Sequence, residues 1–291
     1  PRWCIKKKPP MDRRIPFLLI SLSLYSAGVA QTVLDGAYIR EHTLTRRAVP
    51  YVPLREADVM YATRVWREID LREKINHPLY FPKEPAQGRK SLFDVIREAV
   101  LQEGSLTAYD PGPLKLDDRF TRAFSLEEVD SLLNPMTTTL TPSLDDPEIE
   151  VAVEQPTPVL SEVVTRYQLK EDWYFDRQRG VMEVRIIGLA PMKEVRGEDG
   201  DLRGYTPLFW LYFPELRYVL ANAEAFNPWN DGERRSFDQL FQARSFNSFV
   251  VKASNVYDRR IVEYASGTEA LLESERLKQE LFQREHDLWN F

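Results

Sequence analysis

The run LRGYTPLFWLYF, Leu202 to Phe213, limits the fold more than any other stretch of the chain. Read as a strand, it sends Phe209, Leu211 and Phe213 to one side and Leu208, Trp210 and Tyr212 to the other. Both sides are apolar, so both must be covered. A second strand precedes it at Val181 to Leu189, VMEVRIIGL, and the two are joined through RGEDG, a turn of the kind that glycine and aspartate favour. Helical patterns follow at Glu215 to Phe226, at Ser236 to Lys252 with a break, and at Thr268 to Trp289, where Ala270, Leu277, Leu281 and Leu288 form a stripe. The expected class is α+β: a helical N-terminal region plus a small antiparallel sheet packed with helices in a C-terminal domain.

The N-terminal region is expected to be helical because Val59, Ala62, Trp66 and Ile69 recur at spacings of three and four. Arg64 with Glu68, Glu68 with Arg72, and Asp70 with Lys74 are spaced to pair along such a helix. Asn76-His77-Pro78 then ends it, since the residue before proline avoids the α region. A second helix is predicted from the N-cap Ser91 to Gly104. A third starts at Ser125, where Glu128 completes a capping box, and stops at Asn134-Pro135. From there the chain turns rich in proline and threonine and acidic, which reads as an extended linker. The expected organisation is therefore an arm and helical domain over 31–133, a linker over 134–160 and an α+β domain over 161–291.

Residues 1–30 read as upstream sequence followed by a cleavable export signal. Met11-Asp12-Arg13-Arg14 is a basic start, Ile15 to Tyr25 is apolar, and Gly28 and Ala30 suit a cut before Gln31. The apolar run is too short to span a bilayer comfortably. Cys4, the one cysteine of the chain, precedes that run, so no lipidation at the cut is expected. Disulfides and thiolate zinc sites are excluded from the part beyond Gln31. Residues 1–30 hold six of the 39 basic residues and one of the 45 acidic ones, which leaves a net of −11 beyond them. Such a chain is poorly suited to nucleic acid or to an anionic membrane surface.

No catalytic, cofactor-binding or metal-binding residue emerges. His42, His77 and His286 have no zinc spacing, and His77 sits where asparagine and proline end an element, which suits a structural role better than that of a base. Glycine-rich phosphate loops and a Gly-x-Ser-x-Gly elbow are missing. Glu198, Asp199 and Asp201 cluster, but without the ligand alternation of a calcium loop, and a hydrated turn explains them. What stands out is aromatics interleaved with Arg and Asp, as in EDWYFDRQR and FNPWNDGERRSFDQLF, the residue types that fill cores and anchor protein interfaces.

The stretches READVMYATRVWREIDLREKINHPLYFP, SLFDVIREAVLQEGSLTAYDP, WYFDRQRGVMEVRIIGLAPM and ALLESERLKQELFQREHDLWNF, with the long run from Leu202 to Arg259, resemble the gliding-motility and type IX secretion protein family called GldN or PorN. The resemblance covers most of Arg55 to Phe291. It implies a non-enzymatic, exported subunit that forms a ring beneath the outer membrane with a lipoprotein partner, GldK or PorK, and meets the periplasmic shaft, GldM or PorM. It supplies no catalytic residue and no cofactor. On this reading Trp66, Trp210 and Leu281 anchor the core, and Arg64, Arg67, Glu68 and Arg72 form a wet face that meets a neighbouring subunit. Arg67→Glu is then expected to weaken assembly and to leave the monomer folded. A periplasmic hydrolase and a peptidoglycan-binding module are the alternatives.

Overall fold

The computed structural model describes residues 46–86, 88–142, 150–197, 199–230 and 232–288. The expected export signal, Cys4, His42, Glu198 and most of the expected N-terminal arm lie outside these residues. In chain order the elements are β1 (Val59–Asp70), α1 (His77–Tyr80), α2 (Leu92–Leu101), β2 (Ala108–Tyr109), α3 (Leu126–Leu133), β3 (Met136–Pro142) and β4 (Glu150–Pro156). They continue with β5 (Val164–Asp176), β6 (Val181–Arg196), β7 (Leu202–Pro207), β8 (Trp210–Tyr212), α4 (Phe213–Asn222), α5 (Phe237–Gln242), β9 (Phe249–Ala253) and α6 (Thr268–Leu288). No helix among the described residues is long and apolar enough to cross a membrane.

Seven strands form one antiparallel sheet in the order β2-β8-β6-β5-β1-β9, with β7 beside the far end of β6. The α+β class stands, but the stretch expected to be the first long helix is β1, a twelve-residue strand between β5 and the short edge strand β9. The reason is visible in its residues. Val59, Tyr61, Thr63, Val65 and Ile69 alternate with other residues at a period of two and are of the types that fit a pleated surface. Arg64, Glu68 and Asp70, spaced as if for helical i,i+4 pairs, find partners on β5 instead, because β5 lies alongside for the whole length of β1. Asn76 closes only a single 3-10 turn, Lys74–Asn76, which leads into α1. Its side chain, fully buried, donates to the carbonyls of Asp70 and Asn247 and accepts from the Asn247 N–H at 2.8 Å, tying the exit of β1 to the entry of β9.

The expected helices at Ser91 and Ser125 form with their caps in place. The Ser91 side chain accepts from the Asp94 N–H, and Ser125 with Glu128 makes a capping box. The break foreseen in 236–252 is a change of element, from α5 to the strand β9. The described parts of the proline- and threonine-rich stretch are extended, and they pair with each other: β3 and β4 form a two-stranded sheet of their own. Strands from both sides of it, β1 and β5, pair in the main sheet.

One face of the main sheet carries the larger core. Ile69, Tyr167, Leu169 and Leu189 pack there against α2, α3, α4 and α5. On the same face, towards β9, a smaller cluster of Val65, Trp173, Val250 and Leu281 packs under α6. A polar belt separates the two. In it Glu171, with no exposure, accepts from Arg244 at 2.9 Å and from the Trp173 indole at 3.0 Å.

Candidate interaction site

The opposite face of the sheet is where the sequence-predicted residues gather. With a period of two, Arg64, Trp66, Glu68 and Asp70 share this face, and Val65, Arg67 and Ile69 share the helix-covered one. Arg64 makes a two-pronged bond to Asp172, at 2.6 and 2.8 Å. Glu68 and Asp70 both pair with Arg166, at 3.1 and 3.2 Å, and the Arg166 guanidinium lies over the Tyr205 ring at 3.8 Å. Arg72, just beyond the strand, bonds Glu194 and donates to the Tyr205 hydroxyl.

Trp66 lies at the centre of this face. It packs with Ala190 and Trp210, flanked by Tyr109, Phe120 and Val251. Its indole N–H donates to the Asp118 carboxylate, and the Lys252 ammonium sits over its ring at 4.4 Å. Asp118 belongs to a strap, residues 110–122, laid across the sheet. Lys170 holds that strap by donating to the Asp118 carbonyl at 2.7 Å, and burial pushes the Lys170 ammonium down from its ordinary range while Asp118 pulls it back. Asp110 and Asp117 fold the strap on itself: Asp110 accepts from the Gly112 N–H and from Arg122, and Asp117 from the Arg119 N–H and Thr121. A groove of about 550 Å³ runs between the strap, Trp66 and Lys252.

The strap needs a glycine under it. A Cβ on Gly188 would stand 2.7 Å from Phe120 Cζ, too close for that ring to stay, and 3.2 Å from the Trp210 ring, a tight contact. Gly188→Ala is therefore expected to lift Phe120 and cost about 1–3 kcal/mol as an overpacked site. A lowered urea midpoint together with a changed tryptophan emission would register it.

The four charged residues expected to meet a partner do not form one wet face. Arg64 and Arg72 are accessible, with about half of each side chain exposed. Arg67 and Glu68 are each 8% exposed. Arg67 points to the other side of the sheet, donates to the Ser248 carbonyl at 2.9 Å, and is depressed by burial below the usual guanidinium range. The expectation that reversing its charge leaves the monomer intact is corrected by that burial. Trp66, Trp210 and Leu281 are 8%, 2% and 8% exposed. His77 opens α1, its ring edge-on to Phe81 at 5.3 Å.

Glu68 carries a pH signature. Burial raises its carboxyl above the ordinary 4.5, and Arg166 draws it back only in part. A carboxyl raised in the fold favours the folded state below its unfolded pKa and loses that contribution as pH rises through the folded one. Glu68→Gln is expected to flatten the decline of stability above pH 4.5, read by urea titrations at a series of pH values.

Asn76, Gly188 and Asp118 were not legible as important. Each acts through a contact more than fifty residues away in sequence, and none sits in a motif. The described residues contain no group of three His, Cys, Asp or Glu placed to hold a metal ion. Ion pairs and rings on the Trp66 face are engaged with each other, an arrangement suited to stiffness and to presenting a surface.

No curated protein matches the chain. The family model described as gliding motility associated protein GldN matches residues 54–290, from just before β1 to beyond α6. The chain therefore belongs to the GldN family, a component of the gliding-motility and type IX secretion machinery.

Proposed function

We propose that the chain is a non-enzymatic periplasmic ring subunit, exported by the signal in residues 11–30, that assembles with an outer-membrane lipoprotein of the GldK or PorK kind and meets a GldM- or PorM-like shaft. The single observation that carries this reading is the family match over residues 54–290, which takes in every strand of the main sheet. The geometry supports it in one respect. A load-bearing subunit needs a stiff body, and here buried polar ties at Asn76 and Glu171 fasten the sheet, while Arg217, paired with Asp238 at 2.8 Å, fastens α4 to α5. Of the four charged residues considered for contact, Arg64 and Arg72 are those a partner reaches. Exposed charges of this kind set association rate and specificity more than affinity.

The test is to co-purify the chain with its candidate lipoprotein from envelopes and image the particles. A large closed assembly containing both is expected. A solitary species that turns over a small molecule, with no larger particle, overturns the reading.

A further inference from the structure

We propose that the outer half of β1 is an acceptor edge for a β-ribbon, and that the ribbon is the β3–β4 hairpin of a second copy of this chain. The proposal rests on the ring-subunit reading above and gives it a mode of subunit contact.

The acceptor is read from the ladder. β5 pairs with β1 from Val59 to Asp70, whereas β9 covers only Val65 to Glu68. The last bond on that side runs from the Ser254 N–H to the Arg64 carbonyl at 2.8 Å. The chain then folds back at Asn255, whose amide donates to the carbonyls of Ala253 and Arg259. Backbone groups two residues apart on a strand point the same way. Ala62, two before Arg64, therefore turns its N–H and C=O to an edge that no described residue pairs with, and it is exposed, as is Met60. Unpaired edges of this kind are templates for another strand.

The surroundings of the edge fit a side chain on either face. A cavity of about 480 Å³ bounded by Leu54, Ala62 and Trp66 lies on one side. Another of about 140 Å³, bounded by Tyr61, Leu277 and Leu281, lies on the other. Thr63 and Ser254 line both, so the two open at the place where β9 stops. A strand added there sends alternate side chains into the two cavities, the mode by which extended segments gain both affinity and selectivity.

The donor is in the same chain. β3 and β4 pair with each other and with no other strand among the described residues. A lone two-stranded ribbon is marginal in water. Met136, Thr137, Thr138 and Glu154 are all exposed, so the ribbon is unburied where its side chains are described. Charge decides which edge it meets. Residues 134–158 hold five acidic residues and no basic one, so two ribbons repel each other. The β1 edge has no such excess of acid: Arg64 is paired with Asp172, and Arg284, stacked on Tyr61 at 5.0 Å, with Glu280. Donor and acceptor are different surfaces, so the contact is head-to-tail, the geometry that closes into rings or runs on as filaments.

The experiment uses the full chain carrying Cys4→Ser. One pool also carries Ala62→Cys and a second Thr138→Cys, and the pools are mixed with the lipoprotein partner and treated with a short bis-maleimide. Cross-linked dimers joining the two pools are expected, in excess over dimers within either pool. In parallel Ala62→Pro removes the outward N–H, which edge strands tolerate, and self-association should weaken about tenfold or more while the fold is kept. Particles that form without mixed-pool dimers, or that form normally with a folded Ala62→Pro chain, overturn ribbon docking and leave the ring reading standing. Failure of the unmodified chain to form particles with the lipoprotein overturns both. If Ala62→Pro does not fold, the cross-linking result decides alone.

Discussion

Arg67→Glu is expected to unfold the protein or to leave it only marginally stable. Arg67 is inside the sheet, 8% exposed, on the face covered by helices, with Leu169 and Val250 as its cross-strand neighbours. Its guanidinium feels the Glu171 carboxylate, which is fully buried and already shared with Arg244. A glutamate here loses the bond to the Ser248 carbonyl and sets a second carboxylate near the first in a poorly solvated belt. Breaking a buried charge arrangement costs about 3–5 kcal/mol, and placing a like charge beside the orphan adds to that. The total rivals the whole stability of many domains, about 5–15 kcal/mol. Circular dichroism with a urea titration checks it. A cooperative transition within about 1 kcal/mol of the parent would show that the belt is wetter than its burial indicates.

Trp66→Ala, one residue away and on the opposite face, is expected to cost about 3–5 kcal/mol. The indole fills the space between Trp210, Ala190 and the strap, and its loss removes the donor to Asp118 and the ring under Lys252. The effect should reach the strap: Asp118 is left with Lys170, and residues 110–122 should become more open to proteolysis and hydrogen exchange. Trp66→Phe keeps part of the ring packing and removes the N–H with the rest of the indole, so its cost should fall between those of the parent and the Ala variant. A Phe variant as unstable as the Ala variant would assign the effect to the part of the indole that bonds Asp118.

The contrast between these neighbours explains what the sequence could and could not reveal. Local signals were read correctly where the physics is local. Ser91 and Ser125 cap helices because their oxygens reach N–H groups three residues on, and Leu208 to Leu211 are buried, although the strand expected over Leu202 to Phe213 divides into β7 and β8, Phe213 opens α4 and Tyr212 is 38% exposed. β1 was misread because Val59, Ala62, Trp66 and Ile69 satisfy a helical spacing while the β-branched residues between them satisfy a strand spacing. Only the partner strand decides between them, and β5 begins far downstream at Val164. The same ambiguity carried over to the contact residues. A helix would have put Arg64, Arg67 and Glu68 on one surface, whereas the pleat sends Arg67 to the other side. The sequence marks Asn76 only as a helix stop and gives no sign of Gly188, because their roles are set by Asn247 and Phe120, which no local pattern names.

The long reach of β1 has a consequence for how the chain comes into being. Its bonds to Asp172 and Ser248 span 108 and 181 positions, so a chain made from its N-terminus exposes β1 long before either partner exists. Pairings so distant fold slowly. A nascent segment bearing Val, Tyr, Trp and Ile invites aggregation during that wait, and interspersed charge suppresses it. Arg64, Arg67, Glu68 and Asp70 thus act as chaperoning residues within the strand itself: they keep it dissolved while it is solitary, and each becomes a clasp once β5 and β9 arrive.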